Sequence, residues 1–273
     1  MSDAVTLMGV ELAALSEAQV VAQVSGGLEE GRGGWVCPIN LDVLHQLVES
    51  AELRQLVAAA DLLVADGMPL LWASRLQDTP LPERVAGSSL VVSLSGELAC
   101  RGRSIYLLGG NEGTAASAGR WLQEVHGELA VAGSCCPPFG FDRSPDQRAQ
   151  VIEEAVAADP AMVFVGLGFP KQERLIAELR QRLPATWFLS CGGTFSMLAG
   201  EAPRAHPLVQ RLGLEWVHRL ALEPRRLARR YLLEGIPFAA RLGAASLRQR
   251  LRGRPRGGSS AALGTQEQHP ENR

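Results

Sequence analysis

A repeated alternation of short apolar segments with amphipathic helical patterns constrains the fold most strongly. Six segments have the length and composition of buried strands: 35–39, 61–65, 104–110, 129–134, 161–168 and 186–193. Helical patterns follow five of them, around 41–50, from near 69, and over 114–126, 145–158 and 171–182. The alternation predicts right-handed βαβ units, and therefore an α/β fold with a Rossmann-like, largely parallel sheet and helices on both faces.

The character of the chain changes near residue 200. We expect a Rossmann-like domain over 1–205, a helical, Arg-rich C-terminal appendage over 206–251 and a disordered tail, rich in Gly, Ser and Pro, over 252–273. The net charge of −2 hides an asymmetry, because residues 201–273 carry 14 arginines against 6 acids. A basic segment on an acidic body predicts an anionic partner: a nucleic acid, a phosphorylated substrate or a lipid surface.

The composition fits a globular protein that remains in the cytosol. Hydrophobic residues make up 46% and charged residues 21% of the chain, and no apolar run approaches the ~20 residues that span a bilayer. The N-terminus lacks the basic start and apolar stretch of a secretory signal. The 5 cysteines include no CxxC pair, so we expect reduced thiols and neither a disulfide framework nor a zinc site.

Polar and glycine residues follow five of the six predicted strands. In open α/β sheets, ligands bind beyond the carboxyl ends of the strands, so these residues are expected to meet along one rim. They are Asn40, Asp66-Gly67, Gly109-Gly110-Asn111, the stretch from Gly166 to Glu173, and Gly192-Gly193-Thr194.

The stretch LLGGNEG (107–113) is similar to a turn that brings backbone N–H groups close to a phosphate. As a nicotinamide-dinucleotide site it lacks the acid that should end the next strand, where Gly133 and Ser134 stand. A tight turn into a helix explains the glycines alone nearly as well. A nucleotide held through its phosphates fits both interpretations.

Three charged residues at this rim admit two interpretations each. Lys171 is the only lysine beside 26 arginines, which suggests either an ammonium fitted to a phosphate or a solvated residue in a first helical turn. Asp66 is either a catalytic carboxylate or a turn residue that caps the helix near Pro69. Arg84 either binds a negatively charged group of the substrate or is a surface loop residue.

Taken together, the stretches resemble the bacterial WecG/TagA/CpsF glycosyltransferase family over about residues 35–240. The stretches that carry the resemblance are INLDVL (39–44), VADGMPLLWASRL (64–76), LPERVAGSSLV (81–91), YLLGG (106–110), PPFGF (137–141), VGLGFPKQE (165–173), GGTFSMLAGEAPRA (192–205) and GLEWVHRLALEPRRLARRYL (213–232). Their shared order and spacing make a more specific signal than any one motif.

The resemblance implies an inverting, metal-independent transferase without a cofactor. Family members move a sugar from a UDP-sugar to a polyprenyl-diphosphate-linked saccharide, in the biosynthesis of cell-surface polysaccharides such as exopolysaccharide. It places the protein in the cytoplasm, peripheral on the inner face of the plasma membrane. The implied partners are the UDP-sugar donor, the lipid-linked acceptor and an anionic membrane surface, with homo-oligomers possible in the family.

By the same resemblance, Asp66 of the ADG motif is the catalytic base, which takes a proton from the acceptor hydroxyl. Asn40 and Arg84 line its pocket, Gln172 lies near the donor diphosphate, and Phe141 is the aromatic residue assigned to the uracil. The remaining substrate-binding candidates on the strand ends are Gly109, Gly110, Lys171 and Gly193.

The basic C-terminal segment adds Arg219, Arg226 and Arg229, which fall near one helical face beside an apolar stripe. Such a face suits an anionic membrane or the acceptor diphosphate, and in the family this appendage is thought to close over the active site. The alternative is an Arg-rich helix packed on the body. Nucleic acid fits less well, because no basic patch interleaved with aromatic residues accompanies the strand ends.

The chain departs from the family pattern at two points. Pro38-Ile39-Asn40 replaces a Thr-x-Asn motif, and Phe195-Ser196 replaces Phe-Asp. The resemblance therefore does not name the donor sugar. Two other interpretations stay open: a non-catalytic nucleotide-binding or scaffold protein of a polysaccharide assembly complex, and an NAD-dependent oxidoreductase, which the missing acid disfavours.

Overall fold

The computed structural model describes residues 4–201 and 229–253. An N-terminal hairpin, β1 (Ala4–Leu7) and β2 (Val10–Ala13), precedes the main sheet. The strands of that sheet are β3 (Gly34–Ile39), β4 (Leu62–Ala65), β5 (Ser104–Gly109), β6 (Ala130–Cys135), β7 (Met162–Gly166) and β8 (Trp187–Ser190). The helices of the body are α1 (Glu17–Glu29), α2 (Leu41–Glu49), α3 (Ala51–Val57), α4 (Met68–Leu76), α5 (Gly87–Cys100), α6 (Thr114–His126), α7 (Pro145–Ala158), α8 (Lys171–Arg182) and α9 (Thr194–Leu198). A π-helical segment, Arg229–Gly235, leads into α10 (Ile236–Gly253).

The main sheet has 6 strands in the order β4-β3-β8-β7-β5-β6, and every pair is parallel. All six strands that the sequence predicts are present, and the α/β class with a parallel sheet is confirmed. From β5 the chain continues to the β6 edge, whereas from β7 it turns back to β8. The strand order therefore reverses between β5 and β7, which is the position where open α/β sheets form a ligand crevice.

Helices cover both faces of the sheet because successive strand residues point to opposite sides. In β3, Trp35 and Cys37 face the core built with α2, α4, α7, α8 and α10, whereas Val36 faces the core built with α1, α5 and α6. In β7, Val163 and Phe164 divide in the same way. Burial on both faces explains why these strands read as continuous apolar runs.

Two parts of the body have weak sequence signals. The hairpin strands have only 4 residues each, too short for their alternation to stand out, and Met8 and Gly9 form the turn with φ of 49° and 85°. Helix α5 has the sequence GSSLVVSLSGELAC, in which Gly, Ser and Val are poor helix formers. Its Leu90, Val91, Leu94 and Leu98 are buried, so packing rather than propensity stabilises it.

Helix α10 packs on α4 and α2. The rings of His45 and Phe238 stack with centroids 4.5 Å apart. Two ion pairs flank the contact: Arg241 lies 2.6 Å from Glu49, and Arg250 lies 2.7 Å from Asp78. Part of the basic charge of the C-terminal segment is therefore paired with acids of the body.

The remaining predictions for the C-terminal segment fall largely outside the described residues. Arg219, Arg226 and nearly all of the tail predicted over 252–273 lie there, and of Arg229 only the backbone is described. Along 4–201 and 229–253, no helix combines the length and the apolar character needed to cross a bilayer.

Candidate active site

The carboxyl ends of the parallel strands bring the predicted site residues to one edge of the sheet. Asn40 follows β3, Asp66 follows β4, Gly110 follows β5, and the turn before Lys171 follows β7. Gly193 follows β8 and is exposed. The predicted rim is therefore present, with Asn40 and Asp66 at the β4 end and Lys171 on the side of the β5–β7 crevice.

Asp66 is held between two segments. Its backbone N–H donates to the Ile39 carbonyl over 2.8 Å, and its Oδ2 accepts a 3.3 Å hydrogen bond from the N–H of Gly87, the first residue of α5. The carboxylate therefore lies at the N-terminal end of α5. The N-cap residue of α4 is Gly67, so Asp66 is not the N-cap residue of that helix.

Asn40 and Arg84 flank Asp66. The Asn40 Oδ1 accepts from the Val43 N–H over 3.0 Å and caps α2, so its side chain is fixed in orientation. Arg84 is half-buried in the loop before α5, where the N–H of Val85 donates to the Ala65 carbonyl over 2.9 Å. This hydrogen bond holds the loop, and with it Arg84, against the end of β4.

The crevice between β5 and β7 is lined by backbone in close contact. A Cβ atom added to Gly109 would lie 2.3 Å from the Gly166 carbonyl oxygen, and Gly109 has φ of +127°. The N–H of Gly110 donates to the same oxygen over 3.1 Å. Glycine is therefore required at 109 for close strand contact, and this contact shapes the turn that leads to α6.

The loop after β6 contributes two phenylalanines with different environments. Phe141 is 5% exposed and belongs to the core, whereas Phe139 is 98% exposed. The Lys171 Nζ lies 5.6 Å from the centroid of the Phe139 ring and 3.1 Å from Oδ1 of Asp142. Lys171 lowers the pKa of Asp142 by this hydrogen bond. Of the two rings, Phe139 is the one that solvent reaches.

Gln172 lies below the rim and connects two of its loops. Its Oε1 accepts the N–H of Gly168, after β7, over 3.2 Å, and the N–H of Gly192, after β8, over 3.1 Å. Its Nε2 donates to Oε1 of Glu173 over 2.8 Å. The side chain is 6% exposed. Sequence reasoning placed Gln172 near a diphosphate; the structure places its amide in contact with the loops themselves.

Glu173 is a buried carboxyl group that sequence reasoning missed. It is 1% exposed, and its Oε2 has no hydrogen-bond partner. Burial raises its pKa to about 7, against smaller opposing effects of Gln172, its own backbone and Ser190. The thiols of Cys37 and Cys191 face it, and burial raises the pKa of each, so both stay neutral. Glu173 and the neighbouring Gln172 are polar residues in the first turn of α8, so nothing in the sequence indicated that either is buried.

The Glu173 carboxyl group should make stability depend on pH. Its pKa is about 7 in the folded chain against 4.5 for the ordinary group, so the folded state binds the extra proton between these values. The free energy of unfolding is expected to fall by on the order of 3 kcal/mol as pH rises from 4.5 to 7, and to level above that.

Urea unfolding at pH 5 and pH 8 measures this effect. Glu173→Gln should remove most of the difference between the two pH values. Glu124→Gln, the same change at an exposed position of α6, should retain it. An equal pH dependence in the wild type and in Glu173→Gln would assign the effect to other groups.

The five cysteines are free thiols. Cys135 is the last residue of β6 and Cys136 follows it, and burial raises the pKa of Cys135 to about 12. Within the described part of the chain, no three His, Cys, Asp or Glu side chains are grouped so that they could hold a metal ion.

Comparison with known proteins agrees with this geometry. The fold is a Rossmann-like α/β sheet with the predicted site residues at the carboxyl ends of its strands. The sequence profile of the "Glycosyl transferase WecG/TagA/CpsF family" matches residues 5–255, so the chain belongs to that family of glycosyltransferases.

One relative is an N-acetylglucosaminyldiphosphoundecaprenol N-acetyl-beta-D-mannosaminyltransferase of Bacillus spizizenii. It is 27% identical over 202 residues, which cover 74% of this chain and 76% of the relative.

Proposed function

We propose that the protein is an inverting, metal-independent transferase that moves a sugar from a UDP-sugar to a polyprenyl-diphosphate-linked saccharide. The observation that carries the proposal is the carboxylate of Asp66, oriented by the Gly87 N–H at the strand-end rim beside Asn40. Membership of the family and the lipid-linked acceptor in the name of the Bacillus relative support the acceptor class.

The chemistry is a single displacement. The acceptor hydroxyl oxygen attacks C1 of the donor sugar and forms the new C–O bond, while the bond from C1 to the diphosphate oxygen breaks. Asp66 takes the hydroxyl proton, and UDP leaves with the electron pair of the broken bond. Attack from the face opposite the leaving group inverts the configuration at C1.

The leaving diphosphate gains negative charge as this bond breaks. We assign its stabilisation to Arg84, Lys171 and the backbone N–H of the glycine turn at Gly193. Lys171 and Arg84 lie on opposite sides of the rim, and such positioned cations can act where no metal ion bridges the phosphates.

An extended donor suits the spacing of the rim. Strands β4 and β7 are three strand intervals apart, roughly 14 Å at ~4.8 Å per interval. In the proposed pose, the sugar lies near Asp66 and Asn40, the diphosphate crosses the ends of β3, β8 and β7, and the base lies near Phe139.

The C-terminal segment is proposed to bring the enzyme to the inner face of the membrane. Leu233 in the π-helical segment is 70% exposed and Ile236 at the start of α10 is 53% exposed, and two arginines precede them in the sequence at 229 and 230. Exposed apolar side chains with neighbouring positive charge favour an anionic lipid surface. Arg219, Arg226 and Arg229 are proposed to contribute to that charge. A homo-oligomer remains a proposal from the family alone.

A thermal-shift and hydrolysis screen tests the proposal. Purified protein is exposed to UDP, a panel of UDP-sugars and NAD, with EDTA present throughout. Stabilisation by UDP and slow cleavage of one UDP-sugar in EDTA are the expected results, and the cleaved sugar names the donor. Stabilisation by NAD alone would contradict the proposal, and binding of UDP without turnover of any donor on a lipid-linked acceptor would favour the non-catalytic scaffold.

The two phenylalanines of the loop after β6 provide a matched pair. Phe139→Ala should leave the melting temperature nearly unchanged and weaken UDP binding about tenfold, because an exposed ring that stacks on the base is lost. Phe141→Ala should cost about 3 kcal/mol of stability, since it removes a buried ring. Calorimetric titration with UDP and urea unfolding measure the two effects. Unchanged UDP affinity in Phe139→Ala would remove that residue from the binding site.

A further inference from the structure

The turn after β7 is closed by reciprocal hydrogen bonds. The backbone N–H of Gln172 donates to the Gly168 carbonyl over 3.1 Å, and the Gly168 N–H donates back to the Gln172 side-chain oxygen over 3.2 Å. The same oxygen takes the Gly192 N–H from the neighbouring loop after β8. One amide oxygen therefore holds together the two loops that lie at the centre of the rim.

This arrangement fixes which way the Gln172 amide points. Two backbone N–H donors face it from one side, so the oxygen must be on that side and the NH₂ group on the other. A buried NH₂ group requires an acceptor, and the acceptor is Oε1 of Glu173, 2.8 Å away. Glu173 is also almost fully buried, with its other oxygen unpartnered, so the chain keeps a costly group at this position.

We propose that Glu173 is a positioning residue of the active site, which holds the Gln172 amide so that this amide braces the Gly168 and Gly192 loops. The inference rests on the proposed function for its effect on the donor, because these loops form the part of the rim assigned to the diphosphate. The bracing of the Gly168 and Gly192 loops does not depend on the proposed function. Gln172 acts here through the backbone rather than through a contact of its oxygen with substrate, since both lone pairs of that oxygen are engaged.

The surroundings show why a hydrogen-bond acceptor, rather than a charge, is the essential property. The groups that face Glu173 are the neutral thiols of Cys37 and Cys191, the Ser190 hydroxyl and the Gln172 amide. The Ser190 oxygen in turn accepts from the Trp35 indole N–H over 3.1 Å. A glutamine at 173 offers the same acceptor oxygen, whereas a leucine of similar size offers none.

Hydrogen exchange tests, independently of catalysis, whether Glu173 and the Gln172 amide hold the Gly168 and Gly192 loops together; we call this arrangement the brace. Peptides that contain Gly168 and Gly192 are followed by mass spectrometry in the full chain. In Glu173→Leu, exchange at these two amides should accelerate at least about tenfold. The buried NH₂ group of Gln172 loses its acceptor in this variant, so the loops open more often. In Glu173→Gln, the exchange should match the wild type, and the core strand β5 should be unaffected in both variants.

A kinetic measurement adds the effect on the donor. Glu173→Leu should raise the KM for the donor, or the Kd for UDP, about tenfold with kcat reduced less than about threefold, and Glu173→Gln should restore both. If the wild type turns over no donor and binds no UDP, the proposed function fails while the exchange result still decides the brace.

Three results would overturn the proposal. They are unchanged exchange at Gly168 and Gly192 in Glu173→Leu, exchange in Glu173→Gln as fast as in Glu173→Leu, and an increase spread evenly over the whole sheet. If Glu173→Leu does not yield folded protein, Glu173→Asp takes its place, because the shorter side chain withdraws the acceptor from Gln172. The same local acceleration is expected there, and its absence would equally contradict the brace.

Discussion

Asp66→Asn is expected to lower kcat by about 10³-fold while leaving UDP affinity within about twofold. The substitution keeps the shape of the side chain and an oxygen that can accept the Gly87 N–H, but an amide cannot take the acceptor proton. Initial rates of transfer and calorimetric titration with UDP measure the two quantities separately. The expected split, lost turnover with retained binding, is the signature of a base rather than of a structural residue.

The matched control is Asp146→Asn, the same chemical change at an exposed position in the first turn of α7. It should retain full turnover, with a stability change of a few tenths of a kcal/mol. Turnover in Asp66→Asn within tenfold of the wild type would remove Asp66 from the role of base, and loss of UDP binding with turnover would indicate a damaged site instead.

Gly109→Ala is expected to destabilise the fold by more than about 4 kcal/mol, enough to prevent accumulation of folded protein. The new Cβ would lie 2.3 Å from the Gly166 oxygen and 2.6 Å from the Gly166 carbonyl carbon, and the residue has a φ of +127°. Both atoms belong to the backbone of adjacent central strands, β5 and β7, so neither can move aside as a flexible side chain would. Urea unfolding and the yield of folded protein measure the effect.

Gly26→Ala is the control for this substitution. Gly26 lies within α1, and a Cβ added there meets no atom within 4 Å. Because alanine favours helix more than glycine does, this variant should be about 0.5–1 kcal/mol more stable than the wild type. A Gly109→Ala protein as stable as the wild type would show that β5 and β7 are not in the close contact described.

The strands of the main sheet could be predicted from the sequence because burial on both faces leaves them as unbroken apolar runs. Their parallel arrangement then placed Asn40, Asp66 and the glycine turns at one edge without further information. The resemblance to the family added the roles, and those roles remain proposals to be tested by the variants above. The alternation of elements thus predicted the common edge on which these residues lie better than any single motif did.

Other features depended on contacts between segments distant in the chain. The Asp66 carboxylate accepts from Gly87, 21 residues away, and nothing near Asp66 indicates that partner. The brace at Gln172 joins two loops whose proximity follows from the strand order, which the sequence does not state. Nothing in the motif PPFGF distinguishes Phe139 from Phe141. Only the packing of the loop shows that the first ring is exposed and the second is buried.

The most direct test of the account is transfer from the donor identified by hydrolysis to a polyprenyl-diphosphate-linked saccharide, in EDTA, followed by mass spectrometry and by NMR of the new glycosidic bond. The account predicts a lipid product larger by one sugar, one UDP released for each sugar transferred, and a configuration at C1 opposite to that of the donor. A product with retained configuration would contradict the single displacement with Asp66 as base, and transfer that stops in EDTA and resumes with a divalent metal would contradict the metal-independent mechanism.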